Sequence, residues 1–369
     1  MRYYIISGEA SGDLHGSNLI KELHKKDKSA TIQCWGGDLM QASGATLVKH
    51  YRELAFMGFT EVIKNLPTIL KNISFCKKDI IEFKPDVIIL IDYPGFNLRI
   101  AKWAKKLGFK IVYYISPQVW AWKENRVHDI KKNVDKMLVI LPFEKEFYKK
   151  WNYEVEYVGH PLAEVVNNFK EKNKDLNNPF TEKKIIALLP GSRKQEILKK
   201  LPIMLSVAKH FSEYQFIVAK APGLENSFYD DMMLGYDNVS TVSNKTYELL
   251  MHASAAIVTS GTATLETALF GVPEIICYKG NNISYQIAKR LITIKFIGLV
   301  NLIMNKEVVK ELIQNDLNLT NIKNELNLIL NDAKRKEQIK NDYAELQKIL
   351  SSGGNASENA ANAVIKLLN

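Results

Sequence analysis

Asp92 follows the apolar run VIILI and precedes Tyr93, Pro94 and Gly95, so a carboxylate stands at the end of a buried strand inside a tight turn. A half-buried carboxylate is costly unless it is hydrogen-bonded or works as a base. Asp92 is therefore a candidate general base, and the alternative is an Asx turn that shapes the loop before Asn97. The opening turn SGEASGDLHG, residues 7–16, gathers three glycines around two carboxylates. It lacks the GxGxxG spacing that brings backbone donors against a dinucleotide pyrophosphate, because Glu9 stands where the second glycine should lie. Two readings stay open. One is a strand-to-helix turn capped by Ser11 or Asp13. The other is a polar acceptor-binding loop in which Gly12 and Gly16 allow close approach, Asp13 accepts hydrogen bonds and His15 titrates as a competing base. In SPQVWAWKENR, residues 116–126, Trp120 and Trp122 lie beside Lys123 and Arg126. Aromatic faces next to cations suit a sugar or a phosphorylated head, and ordinary core packing explains either tryptophan equally well.

The second half holds chemistry of a different kind. LLPGSRKQEI, residues 188–197, reads as a strand, a turn at Gly191 and Ser192, and a helix start. Free backbone donors at a helix N-terminus and the forked guanidinium of Arg193 favour a diphosphate, unless Arg193 pairs with Glu196 on the surface. TSGTATLE, residues 259–266, repeats the arrangement with Ser260, Gly261, Thr262 and Thr264 at another helix start. Glu266 shares a helical face with Thr262 and is suited to accept from ribose hydroxyls, or else it makes a helix charge contact. With both phosphate-type turns in one half and the candidate base in the other, the expectation is a donor domain and an acceptor domain facing each other across a cleft.

The elements that must carry these residues follow from periodicity. Short β-branched runs at 3–7, 31–35, 87–92, 110–116 and 136–141 alternate with helical patterns at 17–25 and 100–107 and a longer one at 63–83, expected to break at Pro67. Continuous apolar strands between helices predict a parallel sheet covered on both faces. The pattern pauses at 167–183, a polar stretch read as a linker or exposed insertion. It restarts with runs at 184–192, 214–222, 254–262 and 273–280 and ends in helices. The chain thus reads as α/β, with doubly wound domains at 1–166 and 184–345 and a terminal helical segment at 346–369 that packs on either. Ligands of such sheets bind beyond the carboxyl ends of the strands, where Gly8, Asp92, Pro117, Pro142, Gly159, Gly191 and Gly261 stand.

Composition narrows the classes. With 369 residues, 46% apolar and 24% charged, the chain can bury two cores and is neither disordered nor fibrous. Cys34, Cys76 and Cys277 form no CxxC pair, which argues against a structural zinc site or a disulfide framework and suits a reducing compartment. No signal peptide is expected from MRYYIISGEASGD, and no apolar run has the length of a membrane span. Fifty Lys and Arg against forty Asp and Glu give +10, which favours an anionic partner such as a membrane surface. Nucleic acid is not expected, because the basic stretches lack interleaved aromatics.

Eight collinear strings then carry a resemblance that covers essentially the whole chain: SGEASGDLHG, LAFMGFTEVI, IDYPGFN, YYISPQVWAW, VGHPLAE, LLPGSRKQEI, SGTATLE and VNLIMNKEVVKELIQ. Together they resemble the lipid-A-disaccharide synthases of Gram-negative bacteria. The resemblance implies an inverting transferase of the GT-B arrangement, two Rossmann-like domains, acting peripherally at the inner face of the cytoplasmic membrane. It implies UDP-2,3-diacylglucosamine as donor and 2,3-diacylglucosamine 1-phosphate as acceptor, with no metal or other cofactor. It makes Asp92 and Arg193 essential, adds Asn301 near the donor, and points to His160 and Pro161 between the domains. Gly95 departs from the family pattern, which has an acidic residue in that loop. Oligomeric state stays open, a homodimer included. The rival readings are a transferase of the same architecture acting on another lipid-linked sugar and a non-catalytic nucleotide-sugar sensor.

Overall fold

The computed structural model describes residues 1–369 except 55–65, 222–223, 282–284, 287–289 and 291–293; the side chains of Leu66 and Trp122 also lie outside the described part. The chain forms two compact units, Met1–Pro161 with Leu350–Asn369, and Leu162–Ile349.

The first unit is a parallel sheet of β1 (Arg2–Ser7), β2 (Thr31–Gly36), β3 (Thr46–His50), β4 (Val87–Ile91), β5 (Lys110–Tyr114), β6 (Lys136–Val139) and β7 (Glu156–Tyr157), in the order β3-β2-β1-β4-β5-β6-β7. Between them run α1 (Ala10–Lys26), α2 (Asp38–Ala42), α3 (Leu66–Phe83), α4 (Pro94–Lys106), α5 (Val119–Trp122), α6 (Val127–Asn133) and α7 (Glu144–Lys149). Every residue of VIILI is fully buried, as expected of a central strand with helices on both faces. The chain order reverses between β1 and β4, whose carboxyl ends meet at the Ser7–Ile91 pair.

The second unit begins in α8 (Pro161–Lys172) and repeats the plan with β8 (Lys184–Leu189), α9 (Lys194–Leu205), β9 (Tyr214–Lys220), α10 (Ser227–Met233), β10 (Val239–Ser243), α11 (Thr246–His252), β11 (Ala253–Thr259), α12 (Thr262–Phe270), β12 (Glu274–Tyr278), α13 (Leu299–Met304) and β13 (Glu311–Ile313). Its strand order is β10-β9-β8-β11-β12-β13, all parallel, with the reversal between β8 and β11. Helices α14 (Leu319–Asn331) and α15 (Ala333–Ser351) follow, and α16 (Ala356–Leu368) belongs to the first unit. Its residues Ala360, Ala361, Ala363 and Val364 join the core built on Tyr3, Ile5 and Leu19. The architecture is GT-B-like, two Rossmann-like domains with C-terminal helices.

Two expectations need correction. The break expected at Pro67 involves residues 63–65, which lie outside the described residues, as does the LAFMGFTEVI string from Ala55 onward; in the described part α3 begins at Leu66 with Pro67 in its first turn, where the missing N–H costs nothing. The stretch at 167–183 is not all linker, because α8 continues to Lys172, anchored by buried Val166 and by Phe169 against Tyr247 and Phe270. Strands β3, β7, β10 and β13 were not anticipated. Among the described residues no helix is long and apolar enough to cross a membrane.

Candidate active site

At the β1/β4 switch point the chain takes a strained path. Asp92 and Tyr93, directly after β4, have φ of 43° and 49°, a left-handed conformation costly for side chains larger than glycine. Tertiary contacts impose it. The Asp92 carbonyl accepts from the Tyr113 hydroxyl at 2.6 Å and from Asn97 Nδ2 at 2.7 Å, and Asn97 Nδ2 also reaches the carbonyls of Ile91 at 3.2 Å and Ile6 at 3.4 Å. With its backbone held, the half-buried Asp92 carboxylate is a preorganised group. Burial, and after it the charge of Glu9, pushes its pKa up to about 6, into the range suited to a base near neutrality. Asn97, at the end of the Asp92 loop and also a candidate to bind substrate, is fully buried and braces the two strand ends. Glu9 was passed over. The signal that could have found it is topological: only the adjacency of β1 and β4 brings the two carboxylates together.

The glycine-rich turn is used for packing. A Cβ at Gly8 would meet the Tyr93 ring at 2.4 Å, one at Gly12 the Ser7 Oγ at 2.7 Å, and one at Gly16 the Met40 sulfur at 2.7 Å. These glycines therefore admit neighbouring elements rather than a ligand. Asp13 is buried and accepts from the backbone N–H groups of Gly37 (2.8 Å), Leu39 (3.1 Å) and Met40 (3.0 Å), which makes it the cap of α2. It does not cap its own helix, and its oxygens are committed. Ser11 is exposed in the first turn of α1. His15 is buried, and burial pushes its pKa down to about 4; beside it His160 is pushed down to about 3 by burial and then by His15. Both imidazoles are neutral at pH 7. Trp120 is core: its Nε1 donates to buried Glu144 at 3.2 Å and its ring packs edge-on against Phe143 at 5.0 Å. The Trp122 side chain lies outside the described residues. Arg126 is half-buried and lines a cavity beside the Asp92 loop.

The β8/β11 switch point of the second unit carries a cavity of about 300 Å³ lined by Gly191, Ser192, Glu196, Lys220, Thr246, Thr259, Ser260, Gly261, Thr262 and Glu266. The first turns of α9 and α12 both open beside it, so two sets of helix N–H groups are available to an anion. Gly191 is required here by its backbone, whose φ of +112° strains any residue with a side chain. Arg193 is the N-cap of α9, 53% exposed, and donates to Glu196 at 3.3 Å. The surface pair is thus formed, but an exposed pair contributes only about 0–1 kcal/mol and yields readily to a stronger anion. Glu196 is shared with buried Lys200 at 3.7 Å. Glu266 accepts from the Tyr247 hydroxyl at 2.6 Å, and burial raises its pKa. Lys220 was not anticipated as part of this wall.

Two residues expected at the donor are occupied elsewhere. The Ser260 hydroxyl donates to the Ile297 carbonyl at 3.1 Å and its N–H to that of Cys277 at 3.0 Å. Asn301 is fully buried, donating to Val309 O (2.8 Å) and Glu311 Oε1 (3.0 Å) and accepting from the N–H groups of Val308 and Val309. Glu311 in turn accepts from Ile297 and Gly298. Asn301 is thus linked to the cavity through Glu311 and the 297–298 segment against which Ser260 rests.

Comparison with known proteins agrees with this arrangement. The chain is 40% identical over 372 residues to the lipid-A-disaccharide synthase of Syntrophus aciditrophicus, covering 99% of this chain and 97% of that one. It is 39% identical to lipid-A-disaccharide synthase 1 of Legionella pneumophila strain Philadelphia 1, covering 95% and 94%. In fold it is similar to a UDP-GlcNAc 2-epimerase of Neisseria meningitidis bound to UDP-GlcNAc, with a TM-score of 0.68 at 14% identity over 100% and 99% of the chains. It is likewise similar to a calicheamicin glycosyltransferase, with a TM-score of 0.62 at 15% identity over 99% and 98%. Since the lipid-A-disaccharide synthetase family model also matches residues 3–366, the chain belongs to that family and is an enzyme, a glycosyltransferase of lipid A biosynthesis.

Proposed function

We propose that the enzyme transfers 2,3-diacylglucosamine from UDP-2,3-diacylglucosamine to the 6-hydroxyl of 2,3-diacylglucosamine 1-phosphate, with inversion, giving a β-1,6-linked disaccharide 1-phosphate and UDP. The observation that carries this reading is the division of labour between the two switch points: a braced carboxylate tuned to about 6 in one unit, and a cavity with two helix N-termini and a guanidinium in the other.

In the displacement, Asp92 takes the proton from the acceptor 6-hydroxyl as its oxygen bonds to the donor's anomeric carbon. The bond from that carbon to the diphosphate oxygen breaks with its electron pair, and UDP departs. Charge growing on the diphosphate is met by Arg193 and by backbone donors at the starts of α9 and α12. Glu266 faces the ribose hydroxyls. His15, buried and neutral, is the weaker candidate for the base. The enzyme works peripherally on an anionic membrane surface, where its acylated substrates reside. Incubation with detergent-solubilised donor and acceptor, followed by mass analysis, is expected to yield tetraacyl disaccharide 1-phosphate and UDP. Donor binding without turnover on any lipid acceptor would instead identify a nucleotide-sugar sensor.

A further inference from the structure

A second cavity of the first unit, about 260 Å³, is walled by α4 and α6 and lined by Pro94, Gly95, Leu98, Arg99, Lys102, Arg126, Asp129 and Asn133. Its charge is uneven: Arg99, Lys102 and Arg126 face one carboxylate, that of Asp129. The cavity starts on the catalytic loop itself. Pro94 is two residues from Asp92, so their Cα atoms are within roughly 7.6 Å of each other. Arg126 also connects the two places. Burial raises the pKa of Tyr113 well above 10, with the Asp92 charge adding to the shift and Arg126 opposing it, so the hydroxyl that braces Asp92 lies in the field of both groups. Gly95 leaves the entrance without a side chain, with nothing within 4 Å of where a Cβ would stand.

We propose that this cavity holds the phosphomonoester of the acceptor, with Arg126, Arg99 and Lys102 as its cationic wall, and so sets both the specificity for a sugar 1-phosphate and the register of the 6-hydroxyl on Asp92. The inference rests on the reading of the acceptor given above. In a glucosamine 1-phosphate the phosphate on C1 and the 6-hydroxyl carried on C5 stand on either side of the ring oxygen, close enough for one loop to address both, and the cavity begins at Pro94, two residues after Asp92. Guanidinium forks match a phosphate's oxygens in pairs, and a lysine adds a point charge. Bound this way, the phosphate anchors the sugar beside the Asp92 loop and presents the 6-hydroxyl across the ring oxygen to the Asp92 carboxylate.

The test compares 2,3-diacylglucosamine 1-phosphate with its dephosphorylated counterpart as acceptors, using the full-length enzyme and the variants Arg126→Gln and Arg99→Gln/Lys102→Gln. The wild type should favour the phosphorylated acceptor in kcat/KM by roughly ten- to a hundredfold, the worth of charge-assisted hydrogen bonds. Each variant should cut that preference several-fold without moving the KM for donor. Arg99 and Lys102 are exposed, so the double variant carries the test even where Arg126→Gln fails to fold. Variants that keep the wild-type preference overturn the assignment. So does loss of flotation on phosphatidylglycerol vesicles with the preference intact, which would make the cavity a reader of lipid headgroups. A wild type that glycosylates neither acceptor overturns the proposed reaction and this inference with it, whereas normal wild-type turnover with unmoved variants overturns this inference alone.

Discussion

Asp92 combines two costs that a purely structural residue would not retain: a left-handed backbone and a half-buried negative charge. Asp92→Asn removes the charge and keeps the shape, and asparagine tolerates the same backbone region. Turnover should fall by about 10²- to 10⁴-fold, with binding of both substrates retained, as single-turnover and equilibrium measurements would show. The acidic limb of the wild-type kcat/KM profile should lie near pH 6 and disappear from the residual activity of the variant. Stability should move the other way. A folded-state pKa raised from 3.8 to about 6 means that the folded protein resists ionisation, so stability is lost as pH rises between those values. The asparagine variant should therefore be more stable than wild type by roughly 1–3 kcal/mol above pH 6, with no gain below pH 4. Equal stability at pH 8 would show that the carboxylate is not strained. At Arg193 the expectation separates function from folding. Its pair with Glu196 is exposed, so Arg193→Ala should leave the melting temperature nearly unchanged while raising donor KM and lowering kcat by about 10²- to 10³-fold, with partial recovery in Arg193→Lys. Near-normal donor kinetics in the alanine variant would return Arg193 to the surface. Sequence showed where these two residues stand, one after a strand and one at a helix start. It did not show which polar side chains turn inward. Asp13, Asn97, Trp120 and Asn301 have the chemistry of ligand groups, but all four are spent inside the fold, Asp13 on the Gly37–Met40 backbone and Trp120 on Glu144, far along the chain, and Asn97 and Asn301 largely on nearby backbone.

The same limit appears at the scale of elements. The strands read from sequence are the inner ones, whose burial on both faces demands continuous apolar runs such as VIILI and KIIALL. Those missed, β3, β7, β10 and β13, are the edges of the two sheets. An edge strand pairs on one side only and tolerates polar residues, as the half-buried TLVKH of β3 and VSTVS of β10 do. Edge strand β13 nevertheless connects to the β8/β11 cavity at one remove: Glu311 accepts from the Ile297 N–H, and the Ile297 carbonyl accepts from Ser260, which lines the cavity. Asn301 holds Glu311 and the 308–309 turn with four hydrogen bonds in a fully buried site, so Asn301→Ala would strand two buried N–H groups at about 1–3 kcal/mol each. We expect a lowered denaturation midpoint and, once folded, weaker donor binding as the 297–298 segment shifts under Ser260. Donor binding lost at unchanged stability would mean that Asn301 meets the ligand directly.

For the whole molecule, the excess of ten positive charges gains significance from where cations sit among exposed apolar residues. On α3 the residues Lys71 and Lys78 occupy the middle of the solvent-exposed face. At 100° per residue, Leu70 and Ile81 fall on one flank and Phe75 on the other. Leu70, Phe75 and Ile81 are 53%, 47% and 52% exposed, on a helix that elsewhere buries Ile73, Cys76 and Ile80 in the first unit. A face whose centre carries Lys71 and Lys78 against one carboxylate, that of exposed Glu82, and whose flanks are apolar suits the headgroup boundary of an anionic bilayer, where each lysine near the surface contributes about 1 kcal/mol and the apolar side chains add their own burial. The enzyme should therefore float with phosphatidylglycerol vesicles at low ionic strength and detach progressively as salt shortens the Debye length. Lys71→Glu/Lys78→Glu should weaken binding by about tenfold or more, and it should remove most of the salt dependence. Leu70→Ser/Phe75→Ser should weaken binding at every salt concentration while leaving its slope intact, because apolar insertion is not screened. The two variants thus separate attraction from insertion. If the charge-reversed protein floats as the wild type does at low salt, α3 is not the membrane-facing element, and the net charge serves the solubility of the chain rather than its place at the bilayer.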